Sequence, residues 1–267
     1  MPFYCDTTLD KERTVLMEIT NVLLNDLGAD PKVYSESERR LMGDFADRII
    51  AGELSALLDE CTLPEKELSA LKENYGKNRD KLLGNMKKIA ALAEKAASLY
   101  AGKSTIFSAS LSDTERDRIV VEGVEIVRAL GALRLDTLDT ISYIFEGMTR
   151  LYELQNTYNL TLARLGMINI AARAAETAGA SYDDDAIMTP ILDAYEKLTD
   201  FTAFINDLKD KAVIYQKSAE IKLGLAFDNL AIHMDFINDG KNMNINAIMN
   251  DAATIKHIVE DVLHTHI

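Results

Sequence analysis

Positive charge is scarce in this sequence of 267 residues. Its 29 lysines and arginines are outnumbered by 43 aspartates and glutamates, which gives a formal net charge of −14. Because nucleic-acid-binding domains carry a basic footprint, this balance predicts that the chain binds no nucleic acid. An acidic surface instead suits a protein partner that presents basic residues, since complementary charges steer association.

Cysteine and long apolar runs are also scarce. The two cysteines, Cys5 and Cys61, can form neither a disulfide framework nor a four-thiolate zinc site, and we expect both to be reduced thiols. The most apolar window, residues 160–180, is interrupted by two arginines and a glutamate, so no ordinary transmembrane helix is expected. The first residues show no basic segment followed by an apolar run. This start predicts no cleavable secretory signal and a cytosolic default location, with signal-free secretion left open.

Proline and strand-forming patterns are rare as well. The chain has only four prolines, and it lacks a series of short alternating strands joined by Asn-Gly or Asp-Gly turns. Helical periodicity instead runs through most of the sequence, with start and stop signals between the periodic segments. These signals predict an all-α fold whose helices cover residues 9–27, about 35–60, 62–101, 112–177, 186–238 and 244–264.

The two longest segments indicate an elongated, antiparallel helical bundle with two long coiled-coil-like helices and several shorter ones. Residues 112–177 open with the capping-box sequence Ser-Asp-Thr-Glu, but residues 155–157 and several glycines leave open whether they form one helix or two. Residues 186–238 carry an apolar seven-residue repeat that is typical of coiled coils. The repeat fits packing within one chain and self-association through the long helices equally well. Its positions are Ile191, Leu198, Ile205, Ala212, Ala219 and Ala226.

The domain organisation follows from the polar, Ser-rich connection at residues 103–111. It separates an N-terminal helical part, residues 1–111, with about three helices, from a long-helix bundle, residues 112–267. We expect these parts to form one continuous bundle rather than two independent domains.

A candidate metal site lies near the end of the sequence. His257, Asp261 and His264 have the helical spacing i, i+4 and i+7, so they can share one helix face and offer nitrogen and oxygen ligands. The pair Asp261 and His264 also has the carboxylate-x-x-His spacing of di-iron helical bundles, but those sites need a second such segment, which the sequence lacks. Solvated side chains in a last helical turn are the simpler interpretation, because the helix dipole favours histidine there.

Two other motifs have simple structural interpretations. Residues 97–104 match a relaxed P-loop pattern, but the residues before them favour a helix, whereas a P-loop follows a buried strand. This pattern is therefore interpreted as a helix end with a basic neighbour. The three aspartates at 183–185 lack the alternating oxygen ligands of a calcium loop and are interpreted as a helix cap.

Three classes of function are consistent with these patterns. The long periodic helices and the lack of a complete catalytic motif favour a non-enzymatic protein-interaction protein, such as a scaffold, adaptor, chaperone, immunity protein or effector, without a cofactor. A membrane-active protein of the helical pore-forming type is the first alternative, with candidate segments at residues 119–135 and 160–180. A metal-binding helical bundle that uses His257, Asp261 and His264 is the second.

Overall fold

The predicted all-α class is confirmed. The computed structural model describes residues 34–101, 112–238 and 245–265, except for the side chains of 236–238. The predicted helix at 9–27 and the connection at 103–111 lie outside these residues. Within them the structure has helices and no β-strand. The helices are α1 (Glu36–Ile50), α2 (Leu54–Asp59), α3 (Glu65–Tyr100), α4 (Asp113–Thr177), α5 (Asp184–Ile214), α6 (Leu223–Asn238) and α7 (Ile245–His264), and a π-helical segment, Tyr215–Lys222, joins α5 to α6.

The helix starts follow the capping signals of the sequence. At α1, the Ser35 hydroxyl accepts from the Glu38 backbone N–H, and the Glu38 carboxylate accepts from the Ser35 backbone N–H at 2.7 Å. These reciprocal bonds satisfy two of the donors that a helix start leaves without partners. At α4, the Glu115 N–H donates to the Ser112 hydroxyl at 3.2 Å, which fixes the start that the sequence predicts.

The predicted single helix at 35–60 is wrong, because Gly52 interrupts it. Gly52 adopts a φ of 84°, and its N–H donates to the Ile49 carbonyl while the Glu53 N–H donates to the Arg48 carbonyl. This pair of bonds is a Schellman motif, which ends a helix at a residue in the left-handed region. A single glycine inside a periodic segment is a weak stop signal, so this break was not predicted from the sequence.

Gly179 ends α4 in the same way, as the sequence analysis expected. Its φ is 96°, and the Ala180 N–H donates to the Ala175 carbonyl at 3.0 Å. We expect Gly179→Ala to lower the free energy of unfolding by about 1–2 kcal/mol, because a Cβ is strained in the left-handed region. The matched control is Gly43→Ala in α1, where a Cβ meets nothing within 4 Å and the change is expected to stabilise by about 0.5–1 kcal/mol. Urea unfolding of both variants checks the prediction, and equal effects of one sign would contradict it.

Residues 112–177 form one helix, not two. α4 spans 65 residues from Asp113 to Thr177 without interruption. Gln155 lies at one of the candidate bends, and its side-chain amide donates to the Thr202 hydroxyl of α5 at 2.8 Å. Gly131 and Gly147 lie within the helix, and a Cβ at either would meet nothing within 4 Å, so neither glycine makes room for a close helix contact.

The seven-residue repeat is used inside the chain. Of its six positions, Leu198 is half-buried and the other five are buried in the single chain. A repeat reserved for a second copy would leave these side chains exposed in one chain. The repeat thus contributes to the fold itself.

The structure divides into two compact units. The first contains the described residues up to Leu68 together with Leu151–Ile205, and the second contains Ser69–Arg150 together with the described residues from Asn206 onward. Both units contain residues of α3, of α4 and of the helix that begins with α5.

The first unit packs α1 and α2 against α4 and α5. Its core includes Phe45, Leu57 and Ile168, together with Ile187 and Ile191 of α5. Salt bridges lie at the margin of this core. Arg48 contacts both Glu53 and Glu60 at 2.9 Å, Glu60 also pairs with Arg164, and the Arg164 guanidinium lies 5.6 Å from the centre of the Phe45 ring. These contacts hold α1 and α2 on α4.

Candidate partner-binding surface

The predicted metal ligands lie on the solvent side of α7. His257, Asp261 and His264 are all exposed. The described part of the chain contains no group of three or more histidine, cysteine, aspartate or glutamate side chains that could hold a metal ion. The arrangement therefore gives the metal hypothesis no geometric support. The opposite face of α7 is apolar and buried, through Ile248, Ala252, Ile255, Ile258, Val259 and Val262.

The weaker motifs lie at helix ends. The Asp183 carboxylate accepts from the Asp185 backbone N–H at 3.1 Å, so this acidic run caps the start of α5. Residues 97–100 belong to the last turn of α3, whereas residues 102–104 of the P-loop-like pattern lie outside the described residues.

Cys61 is a free thiol in the first unit. Its Sγ lies 3.5 Å from the Leu57 carbonyl oxygen, and burial raises the pKa of the thiol above its usual value. A raised pKa lowers the fraction of reactive thiolate at neutral pH, so Cys61 has the character of a structural residue. Cys5 lies outside the described residues.

Of the two segments considered for membrane insertion, residues 119–135 lie within α4 and residues 160–180 run three residues past its end. None of the helices that the structure describes has a stretch of sufficient length and apolar character to cross a bilayer.

The π segment is the main local feature that the sequence analysis did not predict. Tyr215, Ser218 and Ala219 face the interior of the second unit. The Tyr215 side chain interacts with Tyr75 of α3, and burial is the main cause that raises the pKa of both phenols. π-helical turns are rare and are frequently found at functional sites.

Arg134 of α4 packs against the start of α6 in this unit. Its Nη1 lies 2.8 Å from Oδ1 of Asp228, and a Cβ built on Gly224 would lie 3.0 Å from Nη2. Because Gly224 has no side chain, the Arg134 guanidinium can occupy the space beside it. The contact fixes the orientation of Asp228 on the outer side of α6.

Apolar residues face solvent at the end of the π segment and along α6. Ile221 of the π segment and Leu225 and Ile232 of α6 are 55%, 64% and 49% exposed. Leu225 and Ile232 are seven residues apart and lie about 20° from each other around the axis of α6, at roughly 100° per residue. Ile221 precedes Leu225 by four residues. We call these three residues the outer stripe. Asp228 lies between Leu225 and Ile232 in sequence and is also exposed. Because single exposed apolar side chains are common, it is their alignment in a row that distinguishes the stripe.

Further contacts hold the stripe in place from the two neighbouring helices. On the inner margin of α6, His233 Nδ1 contacts the Asp251 carboxylate of α7, and both side chains are largely buried. On the other side, the contact between Arg134 of α4 and Asp228 holds the same helix. The stripe is thus carried by a helix that is fixed on both sides.

A polar cluster joins α3 to α4 in the same unit. Lys81 Nζ lies 2.6 Å from Asp136 Oδ1, and the buried Asn85 amide donates to Asp136 Oδ2 at 2.9 Å. The hydrogen bond from Lys81, followed by that from Asn85, lowers the pKa of the Asp136 carboxyl below its usual value. Asp136 therefore stays ionised at neutral pH and satisfies a buried amide.

We expect Asp136→Ala to lower the free energy of unfolding by about 1–3 kcal/mol at neutral pH, because it leaves the buried Asn85 amide without its acceptor. The pKa of Asp136 is lower in the folded state than in the unfolded state. The stabilisation that Asp136 gives the wild type is therefore fully present above the unfolded-state pKa, and it is lost as the pH falls through the folded-state pKa. The difference between wild type and variant should accordingly shrink in acid. Urea unfolding across pH measures it, and Asp139→Ala, at an exposed position on the same helix, is the control.

No protein-family model, curated protein or solved structure matches the chain. The outer stripe was not predicted from the sequence, because the seven-residue repeat identifies only Ala219 and Ala226 in this segment. The sequence does contain a signal for the stripe, because this helix is apolar on two sides. Leu230 and Met234 lie on one side and the stripe lies on the other.

Proposed function

We propose that this chain is a non-enzymatic interaction protein and that an amphipathic helix of another protein binds to the outer stripe. The observation that carries the proposal is the exposure of Ile221 at the end of the π segment and of Leu225 and Ile232 along α6. Two helices pack through apolar residues that recur on one face, and the intervals of four and seven residues here match that pattern. The lack of a complete catalytic motif in the sequence supports the non-enzymatic class.

Charge supports a basic partner. The chain has a net charge of −14, and Asp228 lies within the stripe. Its carboxylate is already oriented by Arg134 at 2.8 Å, which leaves its remaining lone pairs for a second donor. A lysine or arginine on the partner helix, between two apolar contacts, would meet this carboxylate. The acidic surface as a whole would also speed encounter with such a partner.

The proposal is tested by photo-crosslinking in lysate with membranes retained. A benzoylphenylalanine replaces Asn229, an exposed residue beside the stripe, and a control probe replaces Asn74, an exposed residue of α3. We expect a protein to crosslink at position 229 and not at 74. The double variant Leu225→Asp, Ile232→Asp should remove that crosslink and keep the thermal midpoint, since exposed positions tolerate substitution.

Three outcomes would contradict the proposal. One is a crosslink at 229 that survives the double variant. Another is capture of only a second copy of the chain. The third is that the wild type floats with vesicles whereas the double variant does not. That result would assign the stripe to a membrane surface.

A further inference from the structure

The solvent face of α4 in the second unit carries a charge pattern that repeats every eleven residues. Four exposed residues follow one another at this interval and alternate in sign: Asp117, Arg128, Asp139 and Arg150. Eleven residues make three helical turns plus about 20°, so successive members stand nearly above one another along about 50 Å of the helix. Within the described part of the chain, neither Arg128 nor Arg150 forms a salt bridge. We call these four residues the charged line.

Exposed apolar residues flank the charged line on both sides. Each lies four positions after or four positions before a member of the line, which places it about 40° away around the helix. On one side these residues are Val121, Ala132 and Tyr143, and on the other side they are Val124 and Leu135, with Glu146 at the next position. Val121, Leu135 and Tyr143 are 57%, 66% and 54% exposed. Apolar rows of this length along one face mark a surface on which another helix can pack.

We propose that this face of α4 binds the same face of a second copy of the chain, with the two helices antiparallel. The charged line has the opposite order of signs when it is read from its other end. When Arg128 of one copy lies opposite Asp139 of the other, Asp117 also lies opposite Arg150, and every charge of the line meets an opposite one. Because the contact is two-fold symmetric, each pair occurs twice. Both cations are arginines, whose planar guanidinium suits an ion pair at an interface better than an ammonium does.

Parallel arrangements of the two copies use the pattern less completely. A parallel contact in register would place like charges together, and one shifted by eleven residues would leave one charge of each copy unpaired. The antiparallel contact also brings apolar residues together. In it the two copies of Leu135 lie on the same side, and Val121 lies beside Tyr143 of the second copy, in each case about 5 Å apart along the helix axis. The self-complementary order of charges therefore selects a second copy as the occupant of this face.

Sedimentation of the full chain over a range of concentrations tests this contact. We expect the average mass to rise to two chains and no further, because a two-fold contact is closed. Association should be weaker at about 500 mM than at about 50 mM salt, since salt screens the ion pairs. Arg128→Asp places like charges opposite each other and should raise the dissociation constant at least about tenfold, and so should Asp139→Arg. An equimolar mixture of the two variants should associate again, because every charge of one then meets an opposite charge of the other.

Two controls separate this contact from others. Lys95→Asp makes the same change in charge as Arg128→Asp, at an exposed position of α3, and should leave association intact. The double variant Leu225→Asp, Ile232→Asp should also leave it intact, since the outer stripe belongs to the proposed hetero-partner. A wild type that stays at one chain at low salt would overturn the proposal, and so would growth beyond two chains. An equal loss in the Lys95 control, or a mixture of the Arg128 and Asp139 variants that stays monomeric, would overturn it as well.

Discussion

Replacing Ile205 with aspartate should remove more than about 4 kcal/mol from the free energy of unfolding, because it places an unpaired charge in an apolar interior. Ile205 is a position of the seven-residue repeat and is only 3% exposed within the single chain. Domains of ordinary stability have about 5–15 kcal/mol in total, so we expect the variant to lose its cooperative fold. Far-UV circular dichroism with thermal and urea unfolding measures the effect.

The control for this substitution lies on the same helix. Leu192 is 52% exposed, and Leu192→Asp should change the free energy of unfolding by no more than about 0.5 kcal/mol. Wild-type stability of the Ile205 variant would show that the repeat does not face the interior. If Ile205→Asp changed only the state of association and kept the fold, the repeat would belong to an interface between copies.

The helical architecture could be predicted from the sequence because its signals are local. Ser35 and Ser112 precede a glutamate by three residues, and each caps the helix that follows it. Gly179 was recognised as a stop because aspartates and a new periodic segment follow it. Gly52 has the same backbone geometry, but no such sequence follows it, so the break between α1 and α2 was missed.

The π segment could not be predicted in this way, because apolar periodicity does not distinguish it from the α-helix on either side. The seven-residue repeat stays buried through the segment, at Ala219 and at Ala226. Continued beyond Ala226, the repeat would place His233 in the core. In the structure Leu230 and Met234 are buried instead, and His233 lies at the margin with Asp251. The repeat therefore does not predict which residues of α6 face solvent.

A second large effect is expected at Phe201, a ring in the interior of the first unit. Phe201 is fully buried and packs edge to face with Tyr158 of α4, with ring centres 5.2 Å apart at 69°. Phe201→Ala should lower the free energy of unfolding by about 3–5 kcal/mol, since it removes the ring and leaves a cavity. Tyr195→Ala, at a partly exposed position of the same helix, should change it by less than about 1 kcal/mol.

A double-mutant cycle separates the aromatic contact from the cavity. If the rings interact as the geometry indicates, Tyr158→Ala and Phe201→Ala together should cost about 0.5–1.5 kcal/mol less than the sum of the single variants. Urea unfolding of the four proteins gives this coupling. Additive effects would show that each ring contributes only its own burial. The coupling would tie α4 to α5 near the hydrogen bond from Gln155 to Thr202, at a candidate bend where α4 nevertheless continues as one helix.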